Sequence, residues 1–428
     1  MLKFSIYSSQ GDHKFEILEE NSFTISVYQE LLLIFSTIDY KDKIVHFICT
    51  QKMTDDIKTK IQILTKKYES INIKLRKVNA YFASIPNNEF FFVFPETNFS
   101  IPQIISFFES IDLLNKGVPF EQLNEKLTKP MEYFHSLFSE LIEKYEINVY
   151  SPKKKTRYGE KDKKKRICKY CGKKYGETSF REEAHAISEA VGNKNLISTE
   201  ECDVCNHRFA TSIEQDLFDY LKLYRVLYGK KGKKKIPELK FKNGIKITYD
   251  NDKAIILDTK GSVEFNKQGA NIPLDFPEKV NVMNIYRCLA KFAISVLPWE
   301  VVRNLDGTIK WINDIKDNGE VINLSPVASL LSNAYYDQPE LVVYIRKNED
   351  YTLPYIYCEI KIGFIVYVYI LPFTSKDKID FSGKIEFDTF WKLNKHYSRF
   401  NNWIFNHFNL DQKKDLTINM EITKREDI

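Results

Sequence analysis

Four of the seven cysteines of this 428-residue chain stand in two pairs, and their spacing constrains the fold more than any other feature. Each pair has the form Cys-x2-Cys, and thirty residues separate the two pairs. A Cys-x2-Cys knuckle bends the backbone so that both thiolates face one point, and two knuckles supply the four soft ligands of a tetrahedral zinc ion. The pattern therefore predicts a structural zinc site formed by Cys168, Cys171, Cys202 and Cys205.

Two other uses of paired cysteines fit the sequence less well. The N-terminus lacks the apolar core of a signal peptide. The longest apolar runs are shorter than the stretch of about 20 residues that is needed to cross a bilayer. We therefore expect a cytoplasmic protein without a membrane segment, which does not need disulfide bonds. A redox dithiol requires one Cys-x2-Cys rather than two. The remaining Cys49, Cys288 and Cys358 lie in apolar runs and are predicted to be core residues.

Basic residues are concentrated around the cysteine pairs. The whole chain has a formal net charge of only +5, from 63 Lys and Arg against 58 Asp and Glu. Residues 153–174 contain twelve basic and two acidic residues, and residues 230–235 contain five lysines. The rest of the chain is net acidic, so the two basic segments are where we expect contact with a polyanion.

Changes in composition divide the chain into domains. The lysine-rich stretch 151–166 is typical of a solvated linker, or of an arm that becomes ordered on a polyanion. It separates an N-terminal domain of unknown role, 1–150, from the cysteine-containing module, 167–228. A C-terminal domain, 236–428, follows the second lysine run. Strand-like and helical patterns occur in both outer domains, which predicts an α+β multidomain protein whose N-terminal domain is α/β or α+β.

Local patterns predict individual elements in the outer domains. Runs rich in β-branched and aromatic residues predict strands at 23–28 and 71–78. Apolar residues at helical spacing predict a helix over 54–68 that begins with Thr54 as its N-cap. A second apolar helical face predicts a helix over 280–297. An Asn-Gly pair at 243–244 between alternating residues predicts a β-hairpin.

The residues between and just after the knuckles are similar to one known family. His185 lies in the middle of the segment, in Arg181-Glu182-Glu183-Ala184-His185, and Asn206 follows the last cysteine directly. In this order the segment resembles the HNH family of ββα-metal endonucleases, in its subgroup held by two zinc knuckles. The resemblance covers about 50 to 60 residues, from Ile167 to about Tyr220. It implies a small ββα-metal domain between two larger domains, and an enzyme that cuts nucleic acid.

The chemistry of these two side chains agrees with phosphodiester hydrolysis. The reaction needs a base for the attacking water and positive charge near the phosphate oxygens. An imidazole changes protonation close to cellular pH, so His185 is the predicted general base. A carboxamide oxygen is a hard ligand that suits Mg²⁺ or Mn²⁺, so Asn206 is the predicted ligand of a catalytic ion separate from the zinc.

One position departs from the family pattern. Family members usually carry an acidic metal ligand directly before the histidine, where this chain has Ala184. Either Glu183 reaches the ion from a shifted position, or Asn206 is the only protein ligand and phosphate and water complete the shell. The resemblance also implies an asparagine that braces the histidine through its backbone. Asn195 is its nearest match, with Asn193 as the alternative.

Basic residues beside the site are predicted to contact the nucleic-acid backbone. Lysine and arginine neutralise phosphates regardless of sequence, and binding through them depends steeply on salt. Arg181 and Arg208 are the candidate phosphate clamps within the module. The predicted contacts are Lys163, Lys164, Lys165, Arg166, Arg181, Arg208, Lys233 and Lys234.

The sequence therefore predicts a metal-dependent HNH endonuclease that acts on DNA, with RNA as the open alternative. Its architecture resembles restriction and anti-phage defence effectors, so a partner defence protein or further copies of the chain are the expected protein partners. The competing interpretation is a zinc-knuckle protein that binds nucleic acid without cutting it, for which Ala184 is the main argument. A scaffold for protein contacts agrees less well with the basic segments.

Overall fold

The chain forms two compact units, Met1–Ser139 and Glu140–Ile428. The predicted domain boundaries at 150 and 236 stay predictions, and the second lysine run with Lys233 and Lys234 lies outside the described residues. The computed structural model describes residues 2–17, 22–39, 41–42, 44–69, 74–96, 98–151, 154–227, 236, 238–250, 253–266 and 269–423.

The first unit is built on an antiparallel sheet of four strands in the order β2-β1-β6-β5. Helices cover this sheet, and its core contains Phe4, Val27 and Phe82. The elements are β1 (Leu2–Ser8), β2 (Gly11–Ile17), α1 (Ser22–Ile34), β3 (Ser36–Asp39), β4 (Ile44–Phe47), β5 (Thr50–Lys52), α2 (Asp55–Tyr68), α3 (Lys74–Ser84), β6 (Phe90–Phe94), α4 (Ile101–Asn115) and α5 (Leu123–Lys144).

Two strands predicted in this unit are helices. Residues 23–28 lie in α1, and the described part of 71–78 lies in α3, so both strand predictions were wrong. In α1 the buried Val27 and Leu31 are four residues apart on one helical face, and their burial outweighs the β propensity of the segment. The prediction for α2 is confirmed, because the Thr54 hydroxyl accepts a hydrogen bond from the Ile57 amide at 3.2 Å.

The cysteine-containing segment lies in the second unit and has the order strand, strand, helix. Its three short strands form a sheet in the order β8-β10-β9, in which β8 is parallel and β9 antiparallel to β10. Strand β8 belongs to the stretch that the sequence predicts as a basic linker. The elements are β7 (Tyr145–Tyr150), β8 (Thr156–Tyr158), β9 (Ala184–His185), β10 (Leu196–Ser198), α6 (Asp203–Ala210) and α7 (Ile213–Leu227).

The remainder of the second unit contains two longer antiparallel sheets. Strand β17 pairs with β18, β19 and β7, and β15 pairs with β14 and β21. The predicted hairpin is confirmed as β11 and β12. The elements are β11 (Leu239–Lys240), β12 (Ile245–Asp250), β13 (Lys253–Asp258), β14 (Glu264–Asn266), β15 (Gly269–Asn281), α8 (Val282–Val296), α9 (Trp299–Val302), α10 (Asp306–Asn313), β16 (Glu320–Val321), β17 (Val327–Arg346), β18 (Ile356–Ile370), α11 (Lys384–Leu393), β19 (Ile404–Asn406), β20 (Leu410–Asp411) and β21 (Lys413–Thr423).

Helix α8 forms the centre of the second unit. Every residue from Met283 to Val296 is buried, including Arg287 and Lys291. Residues of the cysteine segment, such as Tyr170 and Phe209, belong to the same apolar core as α8. The predicted α+β multidomain class is confirmed, with the cysteine segment in the middle of the chain. Among the described residues, no helix has the length and apolar character needed to cross a membrane.

Candidate metal centre and active site

The four cysteines of the two pairs converge on one point. Their sulfur atoms all lie within 4.8 Å of one another, and the Sγ atoms of Cys171 and Cys202 are 3.7 Å apart. A tetrahedral zinc ion with ligands at about 2.3 Å places its sulfurs about 3.8 Å apart. The predicted donor set therefore has the geometry of a structural zinc site.

Burial gives this cluster the character of a structural site. Cys168, Cys202 and Cys205 are buried, and Cys171 is exposed. A hydrogen bond with Cys205 lowers the pKa of the Cys168 thiol to about 5, whereas burial raises the pKa of the Cys171 thiol to about 11. A metal must therefore displace protons from part of the cluster when it binds.

His185 stands on the short strand β9, between the two knuckles in the chain. It pairs with Ile197 of β10, and the amide of Ala186 donates to the Leu196 carbonyl at 3.0 Å. The ring is half-buried, and its Nδ1 is a buried atom without a hydrogen-bond partner among the described residues. No described protein group therefore fixes the tautomer of His185 through Nδ1.

Asn193 braces the loop that joins β9 to β10. Its Nδ2 donates to the carbonyls of Ile187 at 2.6 Å and Leu196 at 2.8 Å. Its Oδ1 accepts from the amides of Asn195 at 3.0 Å and Leu196 at 2.8 Å. The Asn195 side chain instead donates to Gln338 at 2.9 Å. Asn193 therefore braces the loop that follows the His185 strand, and which of the two asparagines has the role implied by the resemblance stays a prediction.

Asn206 lies on helix α6, one turn after Cys202, which is the first cysteine of the second knuckle. Cys202 is the N-cap of this helix, and its carbonyl accepts from the Asn206 amide at 2.9 Å. The Asn206 side chain donates from Nδ2 to Glu182 Oε2 at 3.3 Å. A residue directly after a zinc ligand has a defined position, so the zinc cluster also orients Asn206.

The match to known families falls on this part of the chain. The family model described as HNH endonuclease matches residues 168–221, which contain both knuckles, His185 and Asn206.

Residues 168–221 are an HNH endonuclease domain.

The match spans about an eighth of the chain, so it describes this domain and not the flanking regions. No curated protein and no solved structure matches the chain.

Glu183 is paired through its carboxylate with two basic residues that precede the HNH domain in the chain. Its carboxylate forms ion pairs with Lys155 and with Arg157, the latter at 2.9 Å. Hydrogen bonding and charge from Lys155, together with Arg157, lower the pKa of Glu183. The side chain is thus engaged by neighbouring cations, while Ala184 is buried and offers no ligand atom.

Glu182 is the acidic residue whose side chain lies beside Asn206, and it is not among the site residues that the sequence predicts. Asp203 explains its position, because the Asp203 carboxylate accepts from the amides of Arg181 at 2.9 Å and Glu182 at 3.0 Å. These bonds hold the chain before β9 against the first turn of α6. An acidic residue in the first turn of a helix can be recognised from the sequence. The backbone groups that it bonds cannot be read from the spacing of residues.

The chemistry of this pair suits a divalent cation. Rotation of the Asn206 carboxamide exchanges Nδ2 and Oδ1, which brings its oxygen toward the Glu182 carboxylate. Carboxylate and carboxamide oxygens are the hard ligands that Mg²⁺ accepts. The residues present therefore fit a hard cation at Glu182 and Asn206.

The predicted phosphate contacts differ in their availability. Lys163, Lys164 and Lys165 are exposed, and Arg181 is exposed beside Glu182. The Arg166 guanidinium donates to the carbonyls of residues 160 and 161. The Arg208 guanidinium donates to Asn313, contacts Cys205 Sγ at 3.8 Å and lies over the Phe209 ring. Arg208 thus has structural partners, whereas the three lysines and Arg181 face solvent.

Proposed function

We propose that the protein is a metal-dependent endonuclease that hydrolyses phosphodiester bonds of DNA in its HNH domain. The observation that carries this proposal is the convergence of the four cysteines of the two knuckles, whose segment contains His185 on β9 and Asn206 on α6. Both residues lie within the segment that matches the HNH endonuclease model. A general base and a cation ligand are the two groups that the reaction requires.

Each residue has a distinct part in the proposed reaction. His185 accepts the proton of the attacking water, and Asn193 braces the loop that follows its strand. Asn206 and Glu182 would hold the catalytic Mg²⁺ or Mn²⁺, which would supply positive charge to the phosphate oxygens. The four cysteines would hold a zinc ion, which would tie the first knuckle to the start of α6.

The exposed basic residues are proposed to place the nucleic-acid backbone over this site. Lys163, Lys164 and Lys165 lie in one short turn next to the first knuckle, and Arg181 lies directly before Glu182. Such contacts neutralise phosphates without reading bases, so the HNH domain alone would have little sequence selectivity. DNA is the proposed substrate. Cleavage of RNA instead of DNA in the test below would change this assignment.

The second candidate is a protein that binds nucleic acid without cutting it. It is favoured by Ala184, which removes the usual acidic ligand, and by the engagement of Glu183 with Lys155 and Arg157. The position of Glu182 beside Asn206 supports the nuclease instead, because it restores a carboxylate to the site.

A role in restriction or anti-phage defence is proposed from architecture alone. An HNH domain embedded in a longer chain is supported by the match at 168–221. A partner protein or self-assembly would provide recognition that the domain lacks. Cleavage of phage DNA, but not host DNA, in cells expressing the protein is the result that this role requires.

The nuclease proposal is tested by incubating plasmid DNA and a structured RNA with purified protein and Mg²⁺ or Mn²⁺. We expect the wild type to cut DNA, and His185→Ala and Asn206→Ala each to lower the cleavage rate by about 100-fold or more. His207→Ala, at the exposed neighbour of Asn206, should stay within about threefold of the wild type. All variants should retain zinc.

Two outcomes would overturn parts of this assignment. If the wild type binds nucleic acid but cuts neither substrate with either metal, the non-catalytic candidate stands. If His185→Ala cuts as fast as the wild type, the protein is a nuclease with a different base.

A further inference from the structure

A lysine of helix α8 lies buried beneath the strand that carries the proposed base. The Nζ atom of Lys291 is 3.3 Å from the main-chain oxygen of His185. It is also 3.1 Å from Glu201 Oε2 and 2.9 Å from Glu214 Oε1. One ammonium group therefore contacts strand β9, the residue directly before Cys202, and the first turn of α7.

These contacts are shielded from water. The side chains of Lys291 and Glu201 have no exposed surface, and that of Glu214 is 11% exposed. Burial alone would lower the pKa of Lys291, but Glu201 and Glu214 raise it well above its usual value, so the ammonium stays charged. A buried ion pair that loses one partner leaves an uncompensated charge, which makes removal costly.

His185 is held in place through hydrogen bonds of its main chain. Strand β9 has two residues, paired to β10 through Ala184 with Ser198 and His185 with Ile197. The ring Nδ1 has no partner within the part of the chain that the structure describes. No described group orients the imidazole through Nδ1, and Lys291 donates to the backbone at His185 itself.

We propose that Lys291 is a positioning residue for the general base, through its ammonium contact with the His185 carbonyl. This inference rests on the proposed role of His185 as base. Lys291 lies outside the matched segment 168–221, so helix α8 of the C-terminal region is a working part of the nuclease site. A simpler role would be neutralisation of Glu201 and Glu214, and the test must separate the two.

Three variants of the full chain separate these roles. Lys291→Met removes the ammonium while keeping most of the side-chain volume. The compensated variant Lys291→Met with Glu201→Gln and Glu214→Gln also removes the two carboxylates, so no unpaired charge remains. Arg287→Met is the matched control, because Arg287 lies one turn earlier on α8 and forms a buried ion pair with Asp411 at 2.8 Å.

We expect Lys291→Met to lower kcat for DNA cleavage by about 10- to 100-fold, because small displacements of a base are costly. KM for DNA should stay within about threefold, and the zinc content should not change. The compensated variant should regain thermal stability and yet keep the low kcat. Arg287→Met should lose stability while its kcat stays within about threefold of the wild type.

The compensated variant decides the matter even if Lys291→Met does not fold. Recovery of wild-type kcat in that variant would show that Lys291 only neutralises charge, and the proposal would fail. A loss of kcat in Arg287→Met as large as that in Lys291→Met would also overturn it, because the effect would then follow from destabilised packing of α8.

A separate measurement distinguishes failure of this proposal from failure of the nuclease assignment. If the wild type cuts nothing, the ring resonances of His185 in histidine-labelled protein, assigned with His185→Ala, still report its position. They should shift in Lys291→Met and in the compensated variant and not in Arg287→Met. Unchanged resonances in all three variants would rule out the positioning role of Lys291, whether or not the protein cuts DNA.

Discussion

Glu182 and Glu183 are neighbours in sequence whose carboxylates have different partners. Glu183 is paired with Lys155 and Arg157. The Glu182 carboxylate instead accepts a hydrogen bond from the side-chain Nδ2 of Asn206 at 3.3 Å. The sequence offers Glu183 as the substitute for the ligand missing at Ala184. The fold offers Glu182, because Asp203 holds its backbone against helix α6.

This contrast gives a prediction at the level of single residues. In a His185→Ala background that prevents cleavage, Glu182→Gln should weaken binding of Mn²⁺ in the presence of DNA by about tenfold, since it removes a charged oxygen ligand. Glu183→Gln should leave Mn²⁺ affinity within about twofold. Electron paramagnetic resonance of free Mn²⁺ measures both.

The reverse result has a defined meaning. If Glu183→Gln weakens Mn²⁺ binding and Glu182→Gln does not, the ligand is the shifted Glu183. Zinc content serves as the control for folding in each variant.

At the level of elements, the basic stretch before the first knuckle is partly built into the HNH domain. Strand β8 pairs with β10, and the amide of Thr199 donates to the Tyr158 carbonyl at 2.9 Å. Gly159 has a φ of +104° and lies so close to Glu200 that a Cβ would come within 2.5 Å of its carboxylate. The exposed lysines that follow are therefore carried on a fixed segment.

Salt dependence of DNA binding tests this segment. Alanine at Lys163, Lys164 and Lys165 together should reduce the slope of log affinity against log salt by about 2 to 3, because each lost phosphate contact removes about 0.9. Fluorescence anisotropy with a DNA duplex from low to moderate salt provides the slope. The matched control is alanine at Lys58, Lys60 and Lys66 of α2, for which we expect no change in slope. Equal slopes for the two triple variants would show that the basic segment does not contact the DNA.

At the level of the whole molecule, the HNH domain shares its core with the rest of the second unit. The Lys169 ammonium donates to the Leu297 carbonyl at 2.7 Å, and the Tyr170 hydroxyl donates to the Lys291 carbonyl at 3.0 Å. Trp299 donates to Glu200 at 2.9 Å. These contacts tie both knuckles to helix α8 and the turn after it.

An excised domain should therefore fail to fold as it does in the intact chain. A fragment of residues 154–227 would expose the apolar surface that Tyr170 and Phe209 share with α8. We expect it to bind less than one zinc per chain and to lack a cooperative thermal transition. A fragment of residues 140–428, which keeps the whole second unit, should retain one zinc and a cooperative transition. A stable, zinc-saturated short fragment would contradict this dependence.

The sequence predicts structure best where the chemistry depends on local spacing. The four cysteines, the N-cap Thr54 and the hairpin at 243–244 depend on residues close in the chain, so their predictions are confirmed in geometry. Its predictions fail where burial decides, as in α1, where the β-branched Thr24 and Val27 are buried on one helical face. Propensity is a small term, and packing overrides it.

The sequence by itself determined the four cysteines that converge, the HNH resemblance of the central segment, and His185 and Asn206 as its candidate reactive residues. Only the tertiary structure decided that Glu182 stands beside Asn206, that Asn193 braces the loop, and that Lys291 reaches the His185 strand. The physical reason is distance along the chain. Zinc knuckles are fixed by spacings of a few residues, whereas Lys291 and His185 are 106 residues apart and meet only because a common core packs them together.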